Sequence, residues 1–394
     1  MKRSKFVFRK EGYLVLAYSL PIEQGPIRPP SEAESLLLRL TRNCPWNKCY
    51  FCPVYKGHKY SRRTVEEILQ EIETLGEQWR RVKEISLQEG YGGHLSHPVL
   101  LYLQQKEPGL LAMGIWLYRG GKQVFLQDAD SMGLPAAELE QVLQAVKKNL
   151  PTVERITTYA RSRTVARRKV EELHSLKKAG LTRVHIGLES GYDPLLEFMR
   201  KGATAKEHVE AGQKVKEAGL SLCEYVLLGL GGEKWSREHA LHTADVINRI
   251  NPQFLRMRTL GIAPRTPLYQ LWQEGSFTPL DDDGVVEEER LFIEELKDIS
   301  TQIVSDHILN LLEEVKGTFP QDKEIILSVI DNYLSLSSQE KLHFRLGRRA
   351  GIYCSLFDSR SPELHRQVKD LEKSLDRDGI KPQDFVKKLL GRYI

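Results

Sequence analysis

Three cysteines fall within the segment NCPWNKCYFC, residues 43 to 52, where Cys44, Cys49 and Cys52 have the spacing C-x4-C-x2-C. The chain holds five cysteines in 394 residues, so these three are concentrated rather than scattered. Thiolates are soft ligands suited to zinc and to iron–sulfur clusters. A structural zinc needs a fourth ligand, which His58 would supply, although such sites ordinarily come as two paired knuckles. A plant-type [2Fe–2S] centre shares this spacing and needs a distant fourth cysteine, for which Cys223 or Cys354 would serve. Inert buried thiols suit scattered cysteines better than three in a polar loop. The remaining reading is a [4Fe–4S] cluster held by three thiolates, with one iron left open for a small molecule to chelate.

Other chemistry-bearing residues recur at the ends of apolar runs: Asp128-Ala129-Asp130 after VFLQ, Arg161 after ITTYA, Glu189-Ser190 after RVHIGL, and the Gly229, Gly231 and Gly232 turn after CEYVLL. Singly, a glycine turn or a Glu-Ser pair at a strand end is more often structural than functional. Late in the chain, QIVSDHILNLLEEV spaces His307 and Asn310 for one helix face, and HFRLGRRAGIYC gathers Arg345, Arg348 and Arg349. Either would line a pocket for an acidic substrate, against the plainer reading of satisfied helix-surface residues. The basic run ARSRTVARRKVEELHSLKK, 160 to 178, reads as a solvated helix face.

These residues need elements to position them. LLLRLTR (36–42), VFLQDAD (124–130), ITTYAR (156–161), RVHIGLES (183–190), CEYVLLG (223–229) and FLRMRTL (254–260) are apolar, rich in β-branched and aromatic residues, and separated by amphipathic helical patterns. Runs hydrophobic on both faces and joined by helices are the signature of parallel strands in βαβ units. Gly180 and Gly219 each close a helix just before a new strand. The expected fold is α/β: a partial (β/α)6 TIM-type barrel over 36–265, with an N-terminal extension over 1–35 and an all-helical C-terminal domain over 266–394. Helices are expected at about 285–316, 322–335, 339–350 and 362–376. A glycine-bearing insert at about 88–120 reads as a plain loop with a following helix, in preference to a lid. The cysteine loop follows the first strand and precedes the first long helix. In parallel α/β folds the carboxyl ends of strands carry the chemistry.

The whole chain narrows the class further. Its mean hydropathy of −0.40 and lack of a long apolar run exclude a membrane span, and MKRSKFVFRKEGYLVLAY has no uninterrupted signal-type core. Cytoplasmic location is expected, and the oligomeric state is open. A net charge of +5 with pI near 8.7 tolerates an anionic partner without demanding one.

The cysteine loop resembles that of the radical S-adenosylmethionine (SAM) superfamily, with Phe51 just before the last cysteine, where those enzymes place an apolar contact for adenine. The common spacing there is C-x3-C-x2-C, and this chain has one residue more. HIGLESGYDPLLEFMRKGATAKEHVEAGQKVKEAGL is similar to the fourth strand and following helix of the branch that includes oxygen-independent coproporphyrinogen oxidases, the elongator catalytic subunit and methylthiotransferases. By that resemblance Glu189 and Ser190 face the ribose and methionine portion of SAM, Lys201 or Arg200 meets its carboxylate, and Arg161 is another candidate for that carboxylate. Gly229 and Gly231 admit the adenosine, and Asp128, Ala129 and Asp130 replace the family's short glycine-rich turn near the methionine ammonium. Tyr225 stands where relatives often carry an aspartate.

The resemblance covers about 36–265 and implies an anaerobic enzyme with a [4Fe–4S] cluster and SAM as cofactors. A low-potential donor of flavodoxin or ferredoxin type supplies the electron for reductive cleavage to a 5′-deoxyadenosyl radical, which abstracts hydrogen from a substrate. A small-molecule substrate is expected in preference to nucleic acid, since no RNA-binding module is recognisable. No catalytic residue beyond the cofactor sites is assigned. The alternative function is an iron–sulfur sensor or electron carrier with a degenerate SAM barrel.

Overall fold

The computed structural model describes residues 20–390. The N-terminal run MKRSKFVFRKEGYLVLAY considered above therefore lies outside the described residues. The chain forms two compact units. The first holds the described part of 1–43 with Tyr60–Tyr159 and Ser175–Thr182; the second holds Cys44–Lys59, Ala160–His174 and the chain from Arg183 onward.

In the first unit the strands are β1 (Leu36–Arg39), β2 (Thr41–Arg42), β3 (Ser61–Arg62), β4 (Gln123–Gln127) and β5 (Arg155–Ala160); the helices are α1 (Val65–Gln88), α2 (His97–Lys106), α3 (Leu111–Tyr118) and α4 (Ala136–Asn149). β1 pairs in parallel with β4, aligning Leu36 with Val124 and Leu38 with Leu126, and β4 pairs in parallel with β5. Val124, Leu126 and Ile156 are fully buried on one face of the sheet and Phe125 on the other, each worth about 2 kcal/mol of transfer free energy. Hydrophobic runs this continuous arise because both sheet faces are covered. α1 starts at a capping box: the Glu67 N–H donates to the Thr64 hydroxyl at 3.2 Å and the Thr64 N–H to the Glu67 carboxylate at 3.1 Å. Such a cap contributes about 1 kcal/mol. The insert after α1 turns through Gly90, Gly92 and Gly93, all at positive φ, before α2 and α3.

The second unit begins its helices with α5 (Ser162–Ala166); α6 (Val170–Ala179) and β6 (Leu181–Glu189) span the boundary between the units. It continues through α7 (Asp193–Phe198), α8 (Ala205–Glu217), β7 (Ser221–Leu228), α9 (Gly232–Ile250), β8 (Phe254–Thr259), α10 (Pro267–Gln273), α11 (Asp282–Glu295), β9 (Gln302–Val304) and β10 (Gly317–Thr318). The last helices are α12 (Lys323–Leu334), α13 (Ser338–Arg349), α14 (Pro362–Arg377) and α15 (Pro382–Leu390). β6, β7, β8 and β9 pair successively in parallel, and β10 closes antiparallel on β9. α8 has a second capping box, Thr204 with Glu207, and ends at Gly219, whose φ of +70° suits glycine.

The chain is α/β, as expected, and each of the anticipated strands is present. The C-terminal region is largely helical, but a helix over 285–316 is not formed. α11 ends at Glu295, and the QIVSDHILN stretch supplies β9 and a loop. Ile303 and Val304 are β-branched and extend the sheet beside Leu255 and Arg256. Beyond them Ile308 is exposed while Leu309, Leu311 and Leu312 are buried, a pattern that no single helix face produces. His307 and Asn310 accordingly do not share a helix. The basic run 160–178 is likewise not one solvated helix: it breaks into α5 and α6, and Arg168 is buried.

Candidate cofactor site

The cysteine loop is tied down residue by residue. Asn47 takes a left-handed conformation (φ 45°), which asparagine tolerates better than most residues, and its N–H points at the Cys44 sulfur at 3.4 Å. Its side-chain amide donates to the Tyr55 carbonyl at 2.6 Å, and Lys56 Nζ donates to the Asn47 carbonyl at 3.0 Å. The Tyr50 N–H donates to the Met199 carbonyl at 2.9 Å, while Phe51 packs on the apolar cluster of Leu195, Met199, Leu230, Leu268 and Phe277. Cys44, Cys49 and Cys52 are all partly buried and none is in a disulfide.

The turn after α7 meets this loop. Trp46 Nε1 donates to the Arg200 carbonyl at 2.7 Å, and the indole covers Gly202, where a Cβ would collide with the ring. Arg161, at the end of β5, donates to the Lys201 and Gly202 carbonyls at 3.3 and 3.1 Å and stacks over Trp46 at 5.1 Å. The Cys49 thiol lies 4.0 Å from the Lys201 carbonyl. Burial pushes that thiol up to about 11, opposed by the Lys201 cation and reinforced by Cys52 and Cys44. Cys52 is raised for the same first reason.

Lys201 Nζ donates to Glu189 Oε1 at 3.0 Å. Burial alone would lower the Lys201 pKa, but Glu189, with the nearby Cys49, holds it above its ordinary value. Glu189 sits at the end of β6 with a φ of 64°, beside a bulge that shifts the β6–β7 register between Gly187 and Glu189. Lys201 Nζ also lies 5.9 Å from the Phe51 ring centroid. The second unit thus gathers Cys49, Phe51, Arg161, Glu189 and Lys201.

The remaining candidates have structural partners. The Ser190 hydroxyl is buried against His239 Nδ1 at 2.9 Å and accepts the Tyr192 N–H at 3.1 Å. Gly229 has a φ of +79° and donates its N–H to Glu288 Oε1 at 2.7 Å. Gly231 has no room for a Cβ against the Trp235 backbone. Asp128, in the first unit, is fully buried and accepts Arg39 Nη2 at 2.6 Å, Arg39 Nε at 2.8 Å and the Asn43 N–H at 3.2 Å. Asp130 is buried and Ala129 half-buried. Arg345, Arg348 and Arg349 pair with Asp283, Glu313 and Asp282. The arginines of α13 are therefore satisfied by internal ion pairs, the plainer of the two readings, and do not form a basic pocket.

Sequence reasoning missed Trp46 and Gly202, although a tryptophan inside a cysteine loop was a signal for one of them. It missed His239 and Glu288 entirely, because a His and a Glu on two amphipathic helices look like surface residues. Among the described residues no group of three or more His, Cys, Asp or Glu side chains gathers where a single metal ion would be held.

The radical SAM superfamily model matches residues 38–244. That is more than half of the chain. The chain belongs to the radical SAM superfamily. It is an enzyme of that superfamily, and its cofactors are a [4Fe–4S] cluster and SAM. Among its relatives is a tRNA uridine(34) acetyltransferase of Methanocaldococcus jannaschii, 25% identical over 118 residues, 30% of this chain and 22% of that protein. A tRNA-2-methylthio-N(6)-dimethylallyladenosine synthase of Bordetella avium is 26% identical over 233 residues, 57% of this chain and 41% of that protein. The solved structure of the radical SAM methyltransferase TsrM from Kitasatospora setae, with cobalamin and a [4Fe–4S] cluster bound, aligns at a TM-score of 0.43 and 15% identity, covering 86% of this chain and 61% of that one. The matches to the two curated relatives each span less than half of that relative's length. Among the described residues no helix is long and apolar enough to cross a membrane.

Proposed function

We propose that Cys44, Cys49 and Cys52 bind three irons of the [4Fe–4S] cluster, and that Lys201, Glu189, Arg161 and Phe51 bind SAM. Asp128, Ala129 and Asp130, Ser190, and the Gly229 and Gly231 turn belong to the same proposal as further SAM contacts. The reductant is a flavodoxin or ferredoxin type donor, and the substrate is a small molecule in preference to nucleic acid.

One observation carries this reading. Lys201 bonds Glu189 through its ammonium, and its backbone carbonyl lies 4.0 Å from the Cys49 sulfur. One residue therefore connects the thiol loop to a largely buried acid–base pair. The donor set fits the cluster: three soft ligands in one pinned loop, partly screened from water, with a buried ammonium nearby to offset thiolate charge. When bound, the cluster and SAM supply reductive cleavage of a carbon–sulfur bond and hence a carbon radical for hydrogen abstraction.

The chain's own residues bind, orient and exclude water. The Lys201 ammonium and the Arg161 guanidinium are the natural partners of a carboxylate, and Glu189 is the natural partner of a hydroxyl or ammonium. Phe51 offers an apolar face, held in place by Leu195 and Met199. The named relatives act on tRNA, but the short fraction of each that is matched supports shared radical chemistry more than a shared substrate.

The test is anaerobic reconstitution with iron and sulfide, then dithionite reduction with SAM and chromatography for 5′-deoxyadenosine. About four irons per chain are expected, with product formation lost in Cys44→Ala, Cys49→Ala and Cys52→Ala. A Cys49→Ala protein that still makes 5′-deoxyadenosine would overturn the ligand assignment.

A further inference from the structure

The strands of the second unit carry a polar set on one sheet face. The register places Gly187, Tyr225 and Arg256 side by side on β6, β7 and β8. Alternation along β8 turns Arg258 to that same face, and its guanidinium lies 4.8 Å from the Tyr225 ring centroid. This is also the face on which the Lys201–Glu189 pair lies, because a Cβ on Gly187 would run into the Glu189 carboxylate and come within 3.1 Å of Lys201 Nζ.

The neighbouring arginines are engaged: Arg256 with Asp306, Arg348 with Glu313, and Arg349 with Asp282. Arg258 differs. Among the described residues its side chain makes no ion pair and no hydrogen bond, and its Nε, like those of Arg345 and Arg349, is sealed from solvent without an acceptor. Leaving such a donor unanswered is unfavourable, a cost that a ligand acceptor would remove.

A second unanswered group lies close by. His307, three residues past β9, has a buried Nδ1 with no partner. Burial first, and then the Arg258 charge, lower its pKa to about 4, so at neutral pH it is an uncharged ring with one N–H to donate. The loop bearing it is pinned. Asn310 donates to the Met257 carbonyl at 2.9 Å and the Ser305 hydroxyl at 2.8 Å, and accepts from Thr259 at 3.0 Å. Arg258 and His307 are thus held in place by bonds that their side chains do not make.

We propose that Arg258, with His307, seats an oxyanion of the substrate, a carboxylate or a phosphate group, on the same sheet face as the Lys201–Glu189 pair. The proposal rests on the reading of that pair as part of the SAM site. The guanidinium fork matches either group bidentately, Tyr225 holds its plane, and the neutral imidazole adds a donor without a competing charge. The site moves the acidic-substrate role from α13, whose arginines are spent on internal partners, to the carboxyl end of β8.

The experiment is calorimetric titration of the reconstituted full-length protein, in the presence of SAM, with succinate and separately with inorganic phosphate. The wild type is expected to bind one of them. Arg258→Gln should weaken that binding by about tenfold or more, His307→Ala should weaken it less, and Arg345→Gln should bind as the wild type. Binding of succinate alone identifies a carboxylate, and of phosphate alone a phosphate ester. A wild type that binds neither anion, or Arg258→Gln and His307→Ala proteins that both bind as well as the wild type, would overturn the proposal. Formation of 5′-deoxyadenosine by the same wild-type sample is read alongside. Its absence would count against the SAM-site reading and leaves the anion result standing on its own.

Discussion

Lys201 Nζ donates to Glu189 Oε1 at 3.0 Å, with both side chains largely buried. Two charges taken out of water are retained only where each answers the other or a ligand. Removing one leaves its partner unpaired, so Lys201→Met and Glu189→Gln should each weaken SAM binding by about 10- to 100-fold. Iron content should stay at the wild-type level. The double variant should be less impaired than the sum of the two, because the unpaired charge is then gone. Equilibrium dialysis with labelled SAM on reconstituted protein, alongside iron analysis, is the measurement; wild-type affinity in both single variants would remove the pair from the site.

Gly202 has a φ of +70° and lies under the Trp46 ring, with no space for a Cβ. A side chain there meets left-handed strain of about 1–2 kcal/mol as well as the clash. Gly202→Ala should therefore destabilise the protein by about 2–3 kcal/mol and displace Trp46 from the Arg200 carbonyl. Since Trp46 lies between Cys44 and Cys49, reconstituted iron should fall too. Urea unfolding and iron analysis read the two effects. Full iron content with an unchanged midpoint would show that the Trp46 contact does not order the loop.

The strands and most of the helices were legible because their signals are local: β-branched runs, amphipathic helical patterns, and glycine stops at Gly180 and Gly219. The cysteine loop was legible from spacing and from its place after a strand. The stretch 296–316 was not, because a three-residue strand added to an existing sheet outweighs a helical pattern that local propensity favours. Arg258 was hidden for another reason. It stands in FLRMRTL beside Arg256, and nothing in that alternation says that one arginine finds Asp306 while the other finds no acid. Partner choice is tertiary, and it separated the structural arginines from the candidate one.

Asp128 is fully buried and holds both Arg39 and the Asn43 N–H, the residue just before Cys44. Asp128→Ala should destabilise the apoprotein by about 3 kcal/mol, since the Arg39 guanidinium loses its buried partner. Asp128→Asn keeps acceptor capacity for the N–H and should lose less. Urea unfolding of the metal-free protein separates this structural effect from any loss of SAM binding. Equal stability of wild type and Asp128→Ala would mean that Glu23, which Arg39 also reaches at 2.9 Å, suffices.

The last prediction concerns pH. Burial raises Glu288 to about 8, and burial with the neighbouring Glu288 raises Glu289 to about 8, from an ordinary 4.5. A carboxyl raised in this way keeps a proton that the unfolded chain has released. Between about pH 4.5 and 8 the folded state therefore binds more protons, and stability falls as pH rises. His239 works in the opposite sense: burial lowers it from 6.5 to about 4, so the folded state binds fewer protons in that window and stability rises with pH. The histidine offsets one carboxyl up to about pH 6.5 and neither above it. His239 and Glu288, 3.6 Å apart, are thus both uncharged near neutrality rather than an ion pair. The steepest loss of stability should fall between about pH 6.5 and 8, with each carboxyl contributing on the order of 1 kcal/mol per pH unit. Glu289→Gln should flatten that slope and leave the protein more stable than the wild type at the upper end. Urea midpoints across the window test this, and a wild-type profile that is level there would show that the two carboxyls are already ionised in the folded protein.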